Sequence, residues 1–277
     1  MPLRDLLMQM NSYPESTPDW ALEGAAALAR SFGAKLSIGV CKVHIPPVSN
    51  WLANKLINAD GMIAAENQRS AENAKELLKH FEATIDDSIK GEALLIECPG
   101  MVTHWQLASR ARAYDLLVVP VYGHDQTVSM VEGLAFDTGR PVLLLTKENA
   151  TGAFDDVVVG WDGSRAAARA LADALCICGE AKTVKIAVVS GEKDLSPGTP
   201  VADVLRHLKR HGIAAEAIEV MAEGRNAGEA LQAYALEAGS DLLVMGAYGH
   251  SRVREFVLGG ATRSVLEKPS LPIFLSH

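Results

Sequence analysis

Two stretches of this chain occur twice, in the same order and nearly the same spacing. Tyr114-Asp-Leu-Leu-Val-Val-Pro-Val-Tyr-Gly-His124 parallels Ser240-Asp-Leu-Leu-Val-Met-Gly-Ala-Tyr-Gly-His250, and Arg140-Pro-Val-Leu-Leu-Leu145 parallels Leu271-Pro-Ile-Phe-Leu-Ser276. Repetition on this scale points to duplication of a whole domain, not to a solenoid of short units. In each copy the apolar centre, Leu116–Val119 or Leu242–Met245, is a short run suited to a strand buried on both faces.

The intervening chain alternates such runs with helical patterns. In the first half, strands are expected over Arg4–Met10, Lys35–Lys42, Glu92–Cys98, Leu116–Val119 and Val142–Leu145. Helices are expected over Asp19–Ser31, ending at Gly33, then over Ser49–Asn58, Met62–Thr84 and Val102–Ala113. Residues Lys147–Phe154 carry few apolar groups and read as a linker. The second half repeats the plan, with strands Asp156–Gly160, Val184–Val189, Ala215–Met221, Leu242–Met245 and Ile273–Leu275. Its helices are expected over Arg165–Ile177, Val201–His211, Ala227–Ala238 and Ala261–Glu267. Buried strands alternating with helices define an α/β class with parallel sheets. The domains are read as 1–147 and 154–277, each of ordinary size.

Composition narrows the function. Hydrophobic residues make up 48% and charged residues 22%, as in a globular protein, and aromatics only 5%. A net charge of −8 argues against a nucleic-acid partner. No apolar run reaches the roughly 18 residues of a membrane span, and Met1–Met10 lacks a signal-peptide plan. The expected location is therefore cytoplasmic, away from membranes. Cys41, Cys98, Cys176 and Cys178 form no framework and are expected as buried free thiols.

The chemistry concentrates in the last third. Leu242–Met245 runs into Gly246-Ala-Tyr-Gly249-His250, and after a spacer Gly259-Gly260 opens the short helix Ala261–Glu267. Glycine lets backbone N–H groups approach a ligand with no Cβ in the way, and a helix start favours anions. Two glycine turns flanking one loop can hold a phosphate chain, or merely turn the chain. Strand Asp156–Gly160 leads into a second turn, Trp161-Asp162-Gly163-Ser164, where Asp162 or Ser164 can cap the next helix.

The pattern Gly246-x-x-Gly249, nine residues, then Gly259 resembles the nucleotide-binding signature of the universal stress protein family. The chain departs from it at Gly260, where the family usually has Ser or Thr; Thr262 follows two residues later. The resemblance implies two tandem doubly wound domains, each a five-stranded parallel sheet ordered 3-2-1-4-5, joined along their fifth strands as an internal pseudo-dimer. It implies adenine and ribose contacts from Asp162, with Trp161 beside the base and Val189 at the second strand end. It assigns ribose and phosphates to the backbones of Gly246, Gly249, Gly259, Gly260 and Ala261, and to the Thr262 hydroxyl. His250, Arg252 and Arg254 could add charge near the phosphates, or form a solvated surface.

The first half lacks these features. Pro120 replaces the first glycine, Asn11-Ser12-Tyr13-Pro14 replaces the acidic turn, and Glu132-Gly133 is the nearest counterpart of the second glycine pair. It is expected not to bind nucleotide, while the 49–84 helical region covers its crevice or simply its sheet. The leading expectation is a stress-response sensor or regulator binding ATP or AMP, with Mg2+ an optional companion, and acting on an unidentified protein partner. Two such chains could form a homodimer. No catalytic residue or metal ligand is assigned. The rival readings are a slow ATP-hydrolysing enzyme working through Asp162 and His250, and a nucleotide-free scaffold. Replacing Gly246 by a β-branched residue is expected to abolish binding without unfolding.

Overall fold

Val157, Val158 and Val159 are successive residues of one strand, and all three are at most 1% exposed. A strand buried on both faces needs helices above and below it, which parallel α/β sheets provide. The computed structural model describes residues 2–47, 57–122, 126–147, 152–191, 200–247 and 260–277. In chain order the first half reads β1 (Asp5–Asn11), α1 (Asp19–Phe32), β2 (Lys35–His44), α2 (Ala59–Thr84), β3 (Lys90–Pro99), α3 (His104–Ala111), β4 (Leu116–Pro120), α4 (Gln126–Thr138) and β5 (Val142–Leu145). The second reads β6 (Asp156–Gly160), α5 (Arg165–Glu180), β7 (Thr183–Ser190), α6 (Val201–Arg210), β8 (Glu216–Met221), α7 (Ala227–Glu237), β9 (Leu242–Gly246), α8 (Gly260–Glu267) and β10 (Ile273–Ser276).

The ten strands form one sheet, ordered β3-β2-β1-β4-β5-β10-β9-β6-β7-β8. Each half thus has the 3-2-1-4-5 order, and all pairings within a half are parallel. The halves meet where β10 runs antiparallel to β5, with Phe274 opposite Leu143. Successive strand residues point to opposite faces, so two cores form. One joins Leu6, Val118, Val159 and Phe274 to α1, α2, α5 and α6; the other joins Leu7, Leu117, Val158 and Ile273 to α3, α4, α7 and α8. Each core draws on both halves.

The repeated sequence makes repeated hydrogen bonds. The Asp115 carboxylate accepts the N–H groups of Arg4 and Asp5, at 2.8 and 3.0 Å. Asp241 accepts those of Asp155 and Asp156, both at 3.0 Å. Leu117 and Leu243 donate to the carbonyls of Pro141 and Pro272, and Val121 and Ala247 to those of Leu145 and Ser276. The shared motif is therefore a set of connections between the fourth strand and its neighbours, independent of any ligand.

One expectation changes. The sequence reading placed no element between the fourth and fifth strands of the first half, yet α4 lies there, its Val131, Leu134 and Ala135 buried. Its buried residues follow helical spacing, and Gly133 lies against the His104 ring, where a Cβ would not fit. The helix expected over 49–58 falls almost wholly outside the described residues. Cys41 and Cys98, remote in sequence, share a small buried cluster on β2 and β3. Their mutual hydrogen bond raises the Cys41 thiol pKa well above its ordinary value and lowers that of Cys98.

The long helix α2 covers the sheet. Ala74, Leu77 and Phe81 are buried on the sheet. Midway along it, the Ser70 hydroxyl accepts from Val43 N–H near the end of β2 at 2.9 Å, and the Asn73 amide donates to the Ser12 carbonyl just after β1 at 2.9 Å.

Candidate functional site

In the second half β6 lies between β9 and β7. From β6 the chain winds outward through β7 and β8, and later returns on the other side through β9 and β10. The winding direction reverses between β6 and β9, and at such a point the loops diverge and leave a crevice beyond the strand carboxyl ends. Register sets what faces it. Val157 pairs with Leu242 and Val159 with Val244, so continuing the pairing brings Trp161 level with Gly246. Gly160 pairs with Ala187, which likewise brings Asp162 level with Val189.

The acidic turn is tightly built. Trp161 N–H donates to the Ala187 carbonyl at 2.8 Å, extending the β6–β7 ladder. The Trp161 side chain is 7% exposed and belongs to the core that holds α5, so most of the ring is packed and little is offered for stacking. Gly163 has a φ of +75°, which glycine adopts without strain. Ser164 N–H donates to Asp162 Oδ1 at 2.8 Å, and the Ser164 hydroxyl accepts from Ala167 N–H at 3.1 Å. Ser164 is thus the N-cap of α5, while Asp162 closes the turn before it. Ser164→Ala should lower stability by about 1 kcal/mol, read as a shift in the urea midpoint with unchanged slope.

Gly246 has a packing role that the sequence did not disclose. A Cβ on it would lie 2.5 Å from the Ala167 amide nitrogen and closer still to the Ala166 carbonyl carbon. The end of β9 therefore rests on the backbone of the first turn of α5. The expectation that a β-branched residue here removes binding without disturbing the fold is corrected: it would displace a helix.

Gly260 differs. It is exposed at the start of α8, and a Cβ there meets nothing within 4 Å among the described residues. Ala261 packs against Gly228 of α7, where an added Cβ would strike the Ala261 carbonyl. Thr262 is 3% exposed, so a phosphate reaching its hydroxyl would have to lie within the crevice, not at its rim. Gly249, His250 and Gly259, with Arg252 and Arg254, lie outside the described residues.

The start of α8 is anchored by residues the sequence reading passed over. The Ser264 hydroxyl donates to Asn226 Oδ1 at 2.8 Å, and the same oxygen accepts from Glu229 N–H at 3.1 Å. Glu229 in turn accepts from Asn226 N–H at 3.1 Å. The pattern Asn226-x-x-Glu229 is a capping box legible in sequence; its link to α8 is not. Among the described residues no group of three or more His, Cys, Asp or Glu is placed to hold a metal, and no helix is long and apolar enough to cross a membrane.

Strand order and register define a doubly wound α/β protein with a switch point between β6 and β9 in its C-terminal half. Residues 153–277 match the family model described as the universal stress protein family. A curated relative, Universal stress protein Slr1230 of Synechocystis sp., is 48% identical over 48 residues, spanning 17% of this chain and 17% of that protein. A universal stress protein from Archaeoglobus fulgidus superposes over 98% of this chain and 95% of its own, with a TM-score of 0.69 and 20% identity. A putative universal stress protein from Pseudomonas aeruginosa covers 99% and 93%, with a TM-score of 0.54 and 14% identity. These two likenesses extend the shared fold across both halves.

Proposed function

We propose that the β6/β9 crevice binds one adenine nucleotide, ATP or AMP, and that the protein uses its occupancy as a stress-linked sensor acting on a protein partner. One observation carries this reading: the winding reverses at β6/β9, so Asp162, Val189 and Gly246 gather at one carboxyl edge. Exposed glycine at the start of α8 supports a phosphate approach to backbone N–H groups there. Gly249, His250, Gly259, Ala261 and Thr262 are assigned to the same ligand, with Mg2+ accompanying ATP. The division into domains 1–147 and 154–277 is part of the proposal.

The first half supports a stoichiometry of one. Its equivalent crevice, between β1 and β4, is crossed by a 2.8 Å hydrogen bond from Thr17, after β1, to Tyr122, after β4. The Ser12 hydroxyl is buried, bonded to the Cys41 carbonyl at 2.8 Å and to the Ser70 hydroxyl at 2.7 Å. These loops are tied to each other and to α2, where a ligand would need them apart.

Gly260→Val is the clean probe, because a Cβ there meets no neighbour among the described residues. Equilibrium binding of labelled ATP and AMP should give one site per chain, weakened about tenfold or more by this change as amide hydrogen bonds are lost. Unchanged affinity in the folded variant would remove the phosphate cradle. A steady-state ATPase assay of the wild type against Asp162→Ala separates binding from turnover.

A further inference from the structure

We propose that His207 and His211, at the C-terminal end of α6, form a two-imidazole chelate for a borderline divalent cation such as Cu2+ or Zn2+. Residues four apart on a helix share one face. Val204 and Leu208 of α6 are buried on the sheet, while His207 and His211 both stand in solvent. Their ring centroids are 4.6 Å apart with an interplanar angle of 68°. Helical spacing persists to the second ring, because His211 N–H donates to the carbonyls of Leu208 at 2.9 Å and His207 at 3.3 Å. Among the described residues neither ring has another hydrogen-bond or ion-pair partner, so the ring nitrogens remain available as ligands.

The chemistry fits a metal better than another ligand. A neutral imidazole nitrogen binds zinc at roughly 2.0–2.1 Å. Two rings already in contact need only side-chain rotation to place one nitrogen each on adjacent coordination positions, with water completing the shell. Imidazole suits copper, zinc and nickel, whereas magnesium and calcium prefer oxygen. The negative end of the helix dipole lies at this last turn and favours a cation, against the opposing charges of Lys209 and Arg210. Asp203, one turn before His207, is held by Arg206 at 2.6 Å, so the chelate rests on the two rings. The site lies at the exposed C-terminal end of α6 and does not depend on the nucleotide reading.

Calorimetric titration of the full chain with CuCl2 and ZnCl2, in a non-coordinating buffer, tests it. The wild type should show a site that His207→Asn and His211→Asn each weaken by about tenfold or more, because either change converts a chelate into a single ligand. MgCl2 should give no comparable binding. Both rings are exposed, so the variants should keep the wild-type far-UV circular dichroism. Selective broadening of the His207 and His211 imidazole NMR resonances by substoichiometric Cu2+ provides a readout on the unaltered chain. Wild-type affinity in either variant, or broadening confined to other histidines, would overturn the proposal.

Discussion

Gly246→Val should cost the protein about 3 kcal/mol or more, at the upper end of what overpacking produces. The obstacle is backbone: the added Cβ would fall 2.5 Å from the Ala167 nitrogen and within 2.8 Å of the Ala166 oxygen. Neither atom can move aside by a change of rotamer. Relief requires α5 to lift from the sheet, exposing Ala170, Leu171 and Ala174, which are at most 4% exposed. Urea unfolding of this variant beside Gly260→Val should separate the two glycines sharply, with a large midpoint shift for the first and almost none for the second. Equal and small shifts would mean that β9 and α5 are looser than described. Nucleotide affinity should also fall in Gly246→Val, but through the lost fold, so that variant cannot by itself report on the crevice.

Phe274→Ala should lower stability by about 3–5 kcal/mol, the usual range for emptying a buried phenylalanine site. Phe274 is fully buried in β10, between Leu143 of β5 and Val244 of β9. Its side chain lies in the core that also contains Leu6, Val118 and Leu145 from the first half. The resulting cavity therefore borders both halves, and both should lose stability together. Guanidinium unfolding followed by circular dichroism and by tryptophan fluorescence should give coincident curves, because Trp20 and Trp161 report from different halves around the same core. Separated transitions, with only one displaced by the substitution, would show that the β5–β10 junction does not couple the halves.

Much of the architecture was legible because parallel α/β folds write their burial into short runs. Val142–Leu145 and Asp156–Gly160 were read with the bounds the structure has. The others shift by a few residues at their ends, where strands continue into loops and helices fray. α4 was missed because Glu132-Gly133 was read only as the counterpart of the second glycine pair; its glycine instead admits the His104 ring. At the candidate site, the turn from Trp161 to Ser164 was open between two caps, and the choice of Ser164 was made by where Ala167 N–H points. Asn226 and Ser264 could not have been paired from sequence, since their hydrogen bond joins two helices whose approach depends on Gly228 meeting Ala261.

The amino-acid order alone determined that the chain is a duplicated α/β protein, which runs are buried, and where small residues interrupt them. Those are local properties: strand and helix periodicity, glycine's freedom and the apolar content of each run. Only the tertiary structure decided that β6 adjoins β9, that β5 and β10 run antiparallel, and that two cores span both halves. It also decided that Gly246 is small because a helix backbone lies against it. Such choices rest on contacts between residues far apart in the chain, and a buried strand reads the same in sequence whichever neighbour it acquires.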